Sequence, residues 1–201
     1  MCDTFPTRYP LRVRQTAGGV ISDTPIICGG YNPDTKTRVR ACYSHQHSTN
    51  KWKFLVNLTT FRQDHAAVAL GDALWLTGGE VSFGQGLRST EYVYSNGTVI
   101  QGPELPSGIG AHCMVRLEDG RVMILGKVPN RRAVIIYNSK TNKFTEAPRL
   151  LYGRLYHACT IFKSPMHGGR PVVISIGGYS GRTSEVLDYT RNGSVWEEGN
   201  R

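Results

Sequence analysis

Histidine is the side chain best suited to proton transfer and metal binding near neutral pH, and this chain of 201 residues has six histidines. His65, His112 and His157 recur at one place in a repeated sequence pattern, which favours a structural role for these three. His45 and His47 flank a single glutamine. A His-x-His pair can bind a metal ion, but the polar residues around this pair favour a solvated turn. The histidines therefore predict neither a catalytic site nor a metal site.

The sequence also lacks the common catalytic and nucleotide-binding motifs. It contains no G-x-S-x-G nucleophile turn and no G-x-x-x-x-G-K-[ST] phosphate loop. Gly78, Gly79 and Glu80 follow a predicted strand, but no helical pattern follows them, so they do not predict a phosphate site. We expect a protein that is not an enzyme and that needs no cofactor.

The five cysteines are poorly placed for a metal. No C-x-x-C pair and no cysteine–histidine ligand cluster is apparent in the sequence, whereas structural zinc sites are usually built from such pairs. We therefore expect no zinc site. The cysteines are Cys2, Cys28, Cys42, Cys113 and Cys159.

Apolar segments that end in glycine recur along the chain with a period of about 50 residues. The first glycine of each site is Gly29, Gly78, Gly126 or Gly177, so the spacings are 49, 48 and 51 residues. Such regularity predicts a repeat architecture. A second glycine follows at three of the sites: Gly30, Gly79 and Gly178.

Other residue types keep the same phase. An arginine precedes the repeated histidine by three residues at Arg62 and at Arg154. Downstream of each glycine site is a short segment that ends in a tyrosine: Tyr43, Tyr94, Tyr137 and Tyr189. A polar turn and a large apolar residue come next: Trp52, Ile100, Phe144 and Trp196.

Each repeat contains four short apolar segments separated by turn residues, which is the pattern of a four-stranded antiparallel meander. The predicted strands of the second repeat are 65–70, 73–77, 90–94 and 98–102, and the first repeat begins with a strand at 17–21. No helical period of useful length occurs. A four-stranded sheet has two faces to bury, and radial stacking of several sheets buries both. The sequence therefore predicts an all-β fold.

These phased glycines, tyrosines and tryptophans resemble the kelch repeat, and the resemblance extends from residue 16 to residue 198. It implies a kelch-type β-propeller or partial propeller with four blades of four antiparallel strands. The blades would be about 16–56, 57–104, 105–149 and 150–200, within one propeller domain at 16–201. Residues 1–15 would be an N-terminal loop or a leftover strand. The third repeat departs most, because Lys127 replaces the second glycine and Phe144 replaces the tryptophan.

Kelch propellers usually close with more than four blades, so four repeats leave three interpretations open. The chain is a fragment of a longer propeller, or it closes as a four-bladed ring, or it pairs with another chain. The absence of an apolar signal segment at the N-terminus favours the fragment.

The resemblance also has consequences for the cysteines. It makes the strands of Cys28 and Cys42 neighbours, which favours a disulfide between them over two unpaired thiols. Cys113 and Cys159 lie in the first strands of successive repeats, but at different offsets from the preceding histidine. We expect their side chains to point to opposite faces and both thiols to be free.

Three N-x-[S/T] sequons begin at Asn57, Asn96 and Asn192, each in a predicted surface turn. Asn-Gly is also the preferred two-residue hairpin turn, so folding alone explains the second and third sequons. Together with the Cys28–Cys42 pairing, the sequons favour an extracellular protein and three glycosylation sites; a cytoplasmic location is the alternative.

The most variable segments are the loops between the second and third strands, at 31–40, 80–89, 127–132 and 179–183. In a kelch propeller these loops share one rim, and rigid scaffolds commonly carry function on such loops. Arginine and aromatic residues often anchor protein interfaces. We therefore expect a protein–protein interaction module that binds through these rim residues: Arg38, Arg40, Phe83, Arg88, Arg131, Arg132, Tyr179 and Arg182.

The net charge of +9 and the pI near 9.5 favour an acidic partner protein. The cationic residues are scattered and form no dense run, so we do not expect nucleic-acid binding. No apolar run approaches the roughly 20 residues that span a bilayer, so we do not expect a membrane span.

The alternative function is a propeller enzyme that resembles galactose oxidase or another propeller hydrolase or oxidase.

Overall fold

The structure is a computed structural model that describes residues 8–82, 84–126, 130–179 and 183–199. Antiparallel strands dominate these ranges, and their only helical segment is the three-residue 3-10 turn Pro165–His167. The all-β prediction is confirmed. Contacts divide the chain into two compact units, Met1–Gly110 and Ala111–Arg201.

The first unit contains two four-stranded antiparallel sheets. The strands of the first sheet are β1 (Ala17–Ile21), β2 (Thr24–Cys28), β5 (Ala41–Gln46) and β6 (Lys51–Asn57), paired in that order. The strands of the second sheet are β7 (Ala66–Leu70), β8 (Ala73–Thr77), β11 (Thr90–Tyr94) and β12 (Val99–Gln101), also paired in chain order. The predicted strands 17–21, 73–77 and 90–94 are confirmed residue for residue.

Two segments predicted as loops form short hairpin ribbons. The first ribbon pairs β3 (Tyr31–Asn32) with β4 (Thr37–Arg38), and the second pairs β9 (Glu80–Ser82) with β10 (Gln85–Gly86). Backbone hydrogen bonds close each ribbon, from Val39 N to Gly30 O (2.8 Å) and from Leu87 N to Gly79 O (2.8 Å). The backbone polar groups of these loops thus pair locally.

The second unit repeats the same design. The third sheet pairs β13 (Cys113–Arg116), β14 (Val122–Leu125), β15 (Val134–Asn138) and β16 (Lys143–Glu146) in chain order. The fourth sheet pairs β17 (Ala158–Ser164), β18 (Arg170–Ile176), β19 (Ser184–Leu187) and β20 (Glu197–Glu198) in the same way. β20 has only two residues and pairs with Glu185 and Val186, so half of the outer edge of β19 has no strand beside it.

An apolar core fills the space between the two sheets of each unit, because alternate side chains of a strand point to the same face. The first unit's core contains Ile21, Ile26, Cys28, Cys42, Leu58, Leu74, Leu76 and Val93. The second unit's core contains Val115, Leu117, Met123, Leu125, Val134, Leu150, Val173, Leu187 and Trp196.

The large aromatic residues are buried to different degrees. Trp75, Tyr137 and Trp196 are buried, and the Trp196 indole N–H donates to the carbonyl oxygen of Pro148 (2.8 Å). Tyr94 and Tyr189 are only half-buried, as are Tyr43 and Trp52.

The four repeated tyrosines do not occupy one structural position. In the third strand of each sheet one residue pairs with the residue before the first glycine, and the tyrosines lie at different distances from that partner. Tyr43 is the second residue counted from that point, Tyr94 the fifth, Tyr137 the fourth and Tyr189 the sixth.

The first two diglycine turns are hydrogen-bonded to the segments that follow their sheets. Gly30 N donates to Arg62 O (2.9 Å), and Gly79 N donates to Ile109 O (2.9 Å). A side chain at Gly29, where φ is 65°, would place its Cβ only 2.8 Å from Arg62 O. Glycine is therefore required there for two reasons, its positive φ and its lack of a Cβ.

A second repeated backbone feature precedes the first strand of every sheet. One residue there adopts a left-handed conformation, with φ between 54° and 59°. Pairs of these residues are hydrogen-bonded within each unit, from Asp64 N to Gln15 O (3.1 Å) and from Tyr156 N to Ala111 O (2.9 Å). Because none of the four is glycine, the sequence carries no sign of this conformation. The residues are Gln15, Asp64, Ala111 and Tyr156.

The predicted disulfide between Cys28 and Cys42 is confirmed. The two residues are direct cross-strand partners on β2 and β5, with a Cα–Cα distance of 4.1 Å.

The prediction that Cys113 and Cys159 are free thiols is wrong, because they form a second disulfide with a Cα–Cα distance of 6.0 Å. Cys113 begins β13 of the third sheet, and Cys159 is the second residue of β17 of the fourth sheet. The first strands of the third and fourth sheets lie in stacked sheets. A side chain on the facing side of one strand can therefore meet a side chain on the opposite face of the other, as Cys113 and Cys159 do.

Removal of the inter-sheet disulfide should destabilise the second unit. We expect Cys113→Ala/Cys159→Ala to lower the free energy of unfolding by about 4 kcal/mol, because the bond closes a loop of 46 residues in the unfolded chain. Denaturant unfolding of wild type and variant would measure the difference. A change below about 1 kcal/mol, or alkylation of either thiol in the native unreduced protein, would contradict it.

Candidate functional site

A buried ion pair anchors the loops at the glycine end of the second sheet. The Arg62 guanidinium donates from Nη2 to Glu91 Oε1 (2.6 Å) and from Nη1 to the carbonyl oxygens of Gly78 (2.6 Å) and Ser89 (3.1 Å). Glu91 Oε2 accepts from the backbone N–H and the hydroxyl of Thr59 (2.7 and 2.9 Å). Burial lowers the pKa of Arg62, and the Glu91 carboxylate opposes that change.

The fourth sheet has the same arrangement. Arg154 donates from Nε to Glu185 Oε1 (2.6 Å) and from Nη1 to the carbonyl oxygen of Gly177 (2.7 Å). Glu185 Oε2 accepts from the backbone N–H of Leu151 (2.6 Å). Arg154 and Glu185 are both fully buried. One arginine therefore ties the diglycine turn, the third strand and the inter-sheet segment together in each unit.

The sequence pattern identified Arg62 and Arg154 as repeated, but it did not identify their glutamate partners. Glu91 and Glu185 are the second residues of β11 and β19. Strand register places Tyr43 and Ile135 at the same position in the first and third sheets. A feature present in only two of four repeats leaves a weak sequence signal.

Three of the predicted rim arginines occupy one repeated position. The carbonyl oxygens of Arg40, Arg88 and Arg132 accept from the backbone N–H groups of three buried leucines, Leu58, Leu105 and Leu150.

The side chains of these arginines also contact the neighbouring backbone or an aromatic ring. Arg88 Nε donates to Leu105 O (3.0 Å), and Arg132 Nε donates to Leu150 O (2.7 Å). The Arg40 guanidinium lies over the Phe61 ring, 5.1 Å from its centroid. These arginines thus brace the edge of their sheets, while part of each guanidinium stays exposed to a ligand.

The other predicted rim residues lie in different environments. Arg38 is half-buried on β4, Arg131 is exposed, and Tyr179 is 81% exposed. Phe83 and Arg182 lie outside the described residues.

Backbone hydrogen bonds bring part of the predicted set together in the second unit. Arg154 N donates to Arg131 O (3.0 Å), and Tyr179 N donates to Leu155 O (2.9 Å). A side chain at Gly153 would lie 3.0 Å from Arg131 Cβ. The segment 151–156 therefore joins the predicted rim residues of the third sheet to Tyr179 of the fourth.

Two exposed tyrosines on this segment were not predicted. Tyr152 and Tyr156 are 40% and 54% exposed, and the Arg154 guanidinium carbon lies 5.9 Å from the Tyr152 ring centroid. The predicted rim loops follow the glycine sites, whereas these two tyrosines precede the repeated His157. The variability of the rim loops therefore did not identify them as binding residues. We call the combined surface the Tyr–Arg edge: Arg131, Arg132, Tyr152, Tyr156 and Tyr179.

The positive charge is concentrated in the unit that carries the Tyr–Arg edge. Residues 111–201 have 14 Lys and Arg against 7 Asp and Glu, a net charge of +7. Residues 1–110 have 10 against 8, a net charge of +2. An acidic partner would therefore be attracted mainly to the second unit.

Two of the repeated histidines, His65 and His157, are packed against the glycine turns. His65, His112 and His157 are buried, and a Cβ at Gly126 would lie 2.8 Å from His157 Cε1. Burial, reinforced by the nearby Arg154 charge, lowers the pKa of His157 to about 4. His157 is therefore neutral at pH 7, as a structural histidine should be.

The solvated-turn interpretation of His45 is wrong. His45 lies in β5, is buried, and packs its ring edge-on against Trp52, with the centroids 5.3 Å apart. Its Nε2 is 3.1 Å from Asn50 Oδ1, whereas the exposed His47 places Nε2 2.7 Å from Asp23 O. Across the described ranges, no group of three or more His, Cys, Asp or Glu side chains is arranged to hold a metal ion.

The three sequon asparagines are exposed, as glycosylation requires. Asn57 ends β6, and Asn96 Oδ1 accepts from Thr98 N (2.9 Å) within its hairpin turn. Asn192 lies in the segment before Trp196.

A comparison with models of known protein families found no match, and a comparison with curated proteins found none either. Among the described residues, no helix has the length and apolar character needed to span a lipid bilayer.

Breaking one buried ion pair should be costly. We expect Arg154→Met to destabilise the protein by about 3–5 kcal/mol, because it leaves the Glu185 carboxylate buried without its cation. The double variant Arg154→Met/Glu185→Leu should recover much of that loss. Arg121→Ala, which breaks a half-exposed pair with Asp119, is the control and should cost less than about 1 kcal/mol. Denaturant unfolding measures all three, and equal losses from Arg154→Met and Arg121→Ala would contradict the expectation.

His157 should make stability depend on pH. Its pKa is about 4 in the folded protein and near 6.5 in the unfolded chain, so the unfolded chain binds the extra proton between these values. Stability should therefore be complete above about pH 6.5 and decrease as the pH falls towards 4. His157→Gln, which cannot titrate, should flatten this part of the stability profile. An unchanged profile in the variant would assign the pH dependence to other groups.

Proposed function

We propose that this chain is a kelch-type β-propeller, or part of one, and that it acts as a non-enzymatic protein-interaction module. Its ligand would be an acidic partner protein, bound at the Tyr–Arg edge of the second unit. The observation that carries the proposal is an exposed group of three tyrosines and two arginines on a braced scaffold.

The repeat geometry supports the propeller part of the proposal. All four sheets are four-stranded meanders paired in chain order, and each first strand follows a left-handed residue. In the first unit β1 packs against β7, and in the second unit β13 packs against β17. First strands that pack against each other are the arrangement expected near the axis of a propeller.

The chemistry of the Tyr–Arg edge supports a protein ligand. Tyrosine offers a large rigid surface with a polar tip, and arginine pairs with carboxylates through two parallel hydrogen bonds. The edge is also held in place beforehand, because the buried Arg154–Glu185 pair fixes the segment that carries Tyr152 and Tyr156. A surface that is rigid before binding loses less conformational entropy when a partner arrives.

The disulfides and sequons support an extracellular setting. Each unit has its own disulfide, and disulfides persist mainly in oxidising compartments. The exposed Asn57, Asn96 and Asn192 are accessible to glycosylation in the same compartment. We therefore propose an extracellular partner.

The test compares two double variants with wild type. Arg131→Ala/Tyr179→Ala removes one charge and one large side chain from the Tyr–Arg edge. Lys140→Ala/Met166→Ala removes one charge and one exposed large side chain elsewhere in the same unit, since Lys140 is exposed and Met166 is 81% exposed. Partners captured from an extracellular protein fraction would be quantified by mass spectrometry and their affinities then measured at low and high salt.

We expect the edge variant to weaken binding of an acidic partner at least about tenfold, which corresponds to about 1.4 kcal/mol. The control variant should bind like wild type, and added salt should weaken binding because it screens the charges. Equal recovery by wild type and the edge variant would reject the Tyr–Arg edge as the binding surface.

A further inference from the structure

The second unit contains a cavity of about 180 Å³ beside the fourth sheet. It exists because β20 is short: the chain from Tyr189 to Ser194 forms turns rather than a strand along the edge of β19. The cavity is separate from the Tyr–Arg edge, because none of the five residues of that edge lines it. We call it the Arg191 cavity.

The inner wall of the Arg191 cavity is apolar. Met123 and Leu187, both buried, belong to the inter-sheet core, and Ile136 and Ala147 pack against that core. Such a wall favours a compact hydrocarbon group over water.

The mouth of the cavity has one uncommitted positive charge. Arg121 and Arg191 both line it. Arg121 is bound to Asp119 through Nε and Nη2 (2.8 and 2.7 Å), so its charge is balanced. Arg191 is exposed and has no carboxylate within ion-pair distance among the described side chains.

Tyr189 adds a hydrogen-bond donor at the mouth. Tyr189 lines the cavity, and its hydroxyl oxygen accepts from Glu118 N (3.3 Å), which leaves the hydroxyl proton free to donate. Burial raises the pKa of Tyr189, so the hydroxyl keeps this proton at physiological pH.

We propose that the Arg191 cavity binds a carboxylate that is attached to a compact apolar group. The apolar group would pack on Ile136 and Ala147, next to the buried Met123 and Leu187, and the carboxylate would accept from Arg191 and the Tyr189 hydroxyl. The volume is appropriate, since a cavity of about 150 Å³ accommodates benzene and the mouth is open to solvent on the carboxylate side. The carboxylate belongs either to a free small acid or to the C-terminal residue of a peptide.

The test uses benzoate as the probe and methionine methyl groups as the reporters. The chain has 4 methionines, of which Met123 lines the cavity and Met166 is 81% exposed elsewhere. With ¹³C-methyl methionine in the full chain, benzoate should shift the Met123 resonance and leave Met166 unchanged. We expect a Kd of about 0.1–1 mM, as is usual for a ligand of this size.

Two variants and a neutral analogue make the result specific. Arg191→Gln should weaken benzoate binding at least about tenfold, and benzyl alcohol should bind at least about tenfold more weakly than benzoate, because each removes the charge pair. Ala147→Phe should abolish binding by filling the cavity, and unchanged Met114 and Met166 resonances would show that it is folded. Lys163→Gln, which removes one exposed charge from β17, is the matched surface control and should bind like wild type.

A pair of peptides ending in phenylalanine, one with a free carboxylate and one amidated, distinguishes the two sources of the ligand. Tighter binding of the free peptide than of benzoate assigns the site to a chain terminus, and the reverse assigns it to a small acid. The proposal is overturned if about 10 mM benzoate leaves Met123 unshifted, a concentration well above the expected Kd. It is also overturned if benzyl alcohol binds as tightly as benzoate, or if Ala147→Phe binds like wild type.

Discussion

The close approach of the diglycine turns to the segments between sheets is the constraint on which the rest of the structure depends. Gly30 N donates to Arg62 O and Gly79 N donates to Ile109 O, both at 2.9 Å. A Cβ at Gly29 would lie 2.8 Å from Arg62 O and 2.9 Å from His65 Cε1. Only glycine allows this approach, and the approach in turn sets how closely one sheet follows another.

The buried arginines depend on that contact. The backbone of Arg62 accepts a hydrogen bond from the turn of the first sheet at Gly30. Its guanidinium then reaches Gly78 O and Glu91 of the second sheet. A buried ion pair recovers little net stability after desolvation, but it tolerates few alternative geometries. We infer that the Arg62 and Arg154 pairs specify the loop geometry rather than supply the folding energy. A fixed loop geometry is what the proposed binding at the Tyr–Arg edge requires.

The two disulfides show how far strand patterns carry. Cys28 and Cys42 face each other within one sheet, so neighbouring strands were sufficient to predict their bond. Cys113 and Cys159 join two stacked sheets, where side chains on opposite faces of equivalent strands can meet, so the expectation of free thiols was wrong. The prediction for His45 was wrong for a related reason. Its polar neighbours in the sequence suggested a turn, whereas its ring packs against Trp52 on the paired strand.

The sequence by itself determined the elements: the glycine period, the strands near it and the all-β class, because alternation and turn residues act over a few neighbours along the chain. Only the tertiary structure decided which side chains form a surface. Tyr152 and Tyr156 join Arg131 and Tyr179 through backbone hydrogen bonds between segments more than 20 residues apart. The Arg191 cavity arises in the same way, from a strand that stops after two residues. Such features depend on packing between segments that are distant in the sequence, and local residue patterns do not encode that packing.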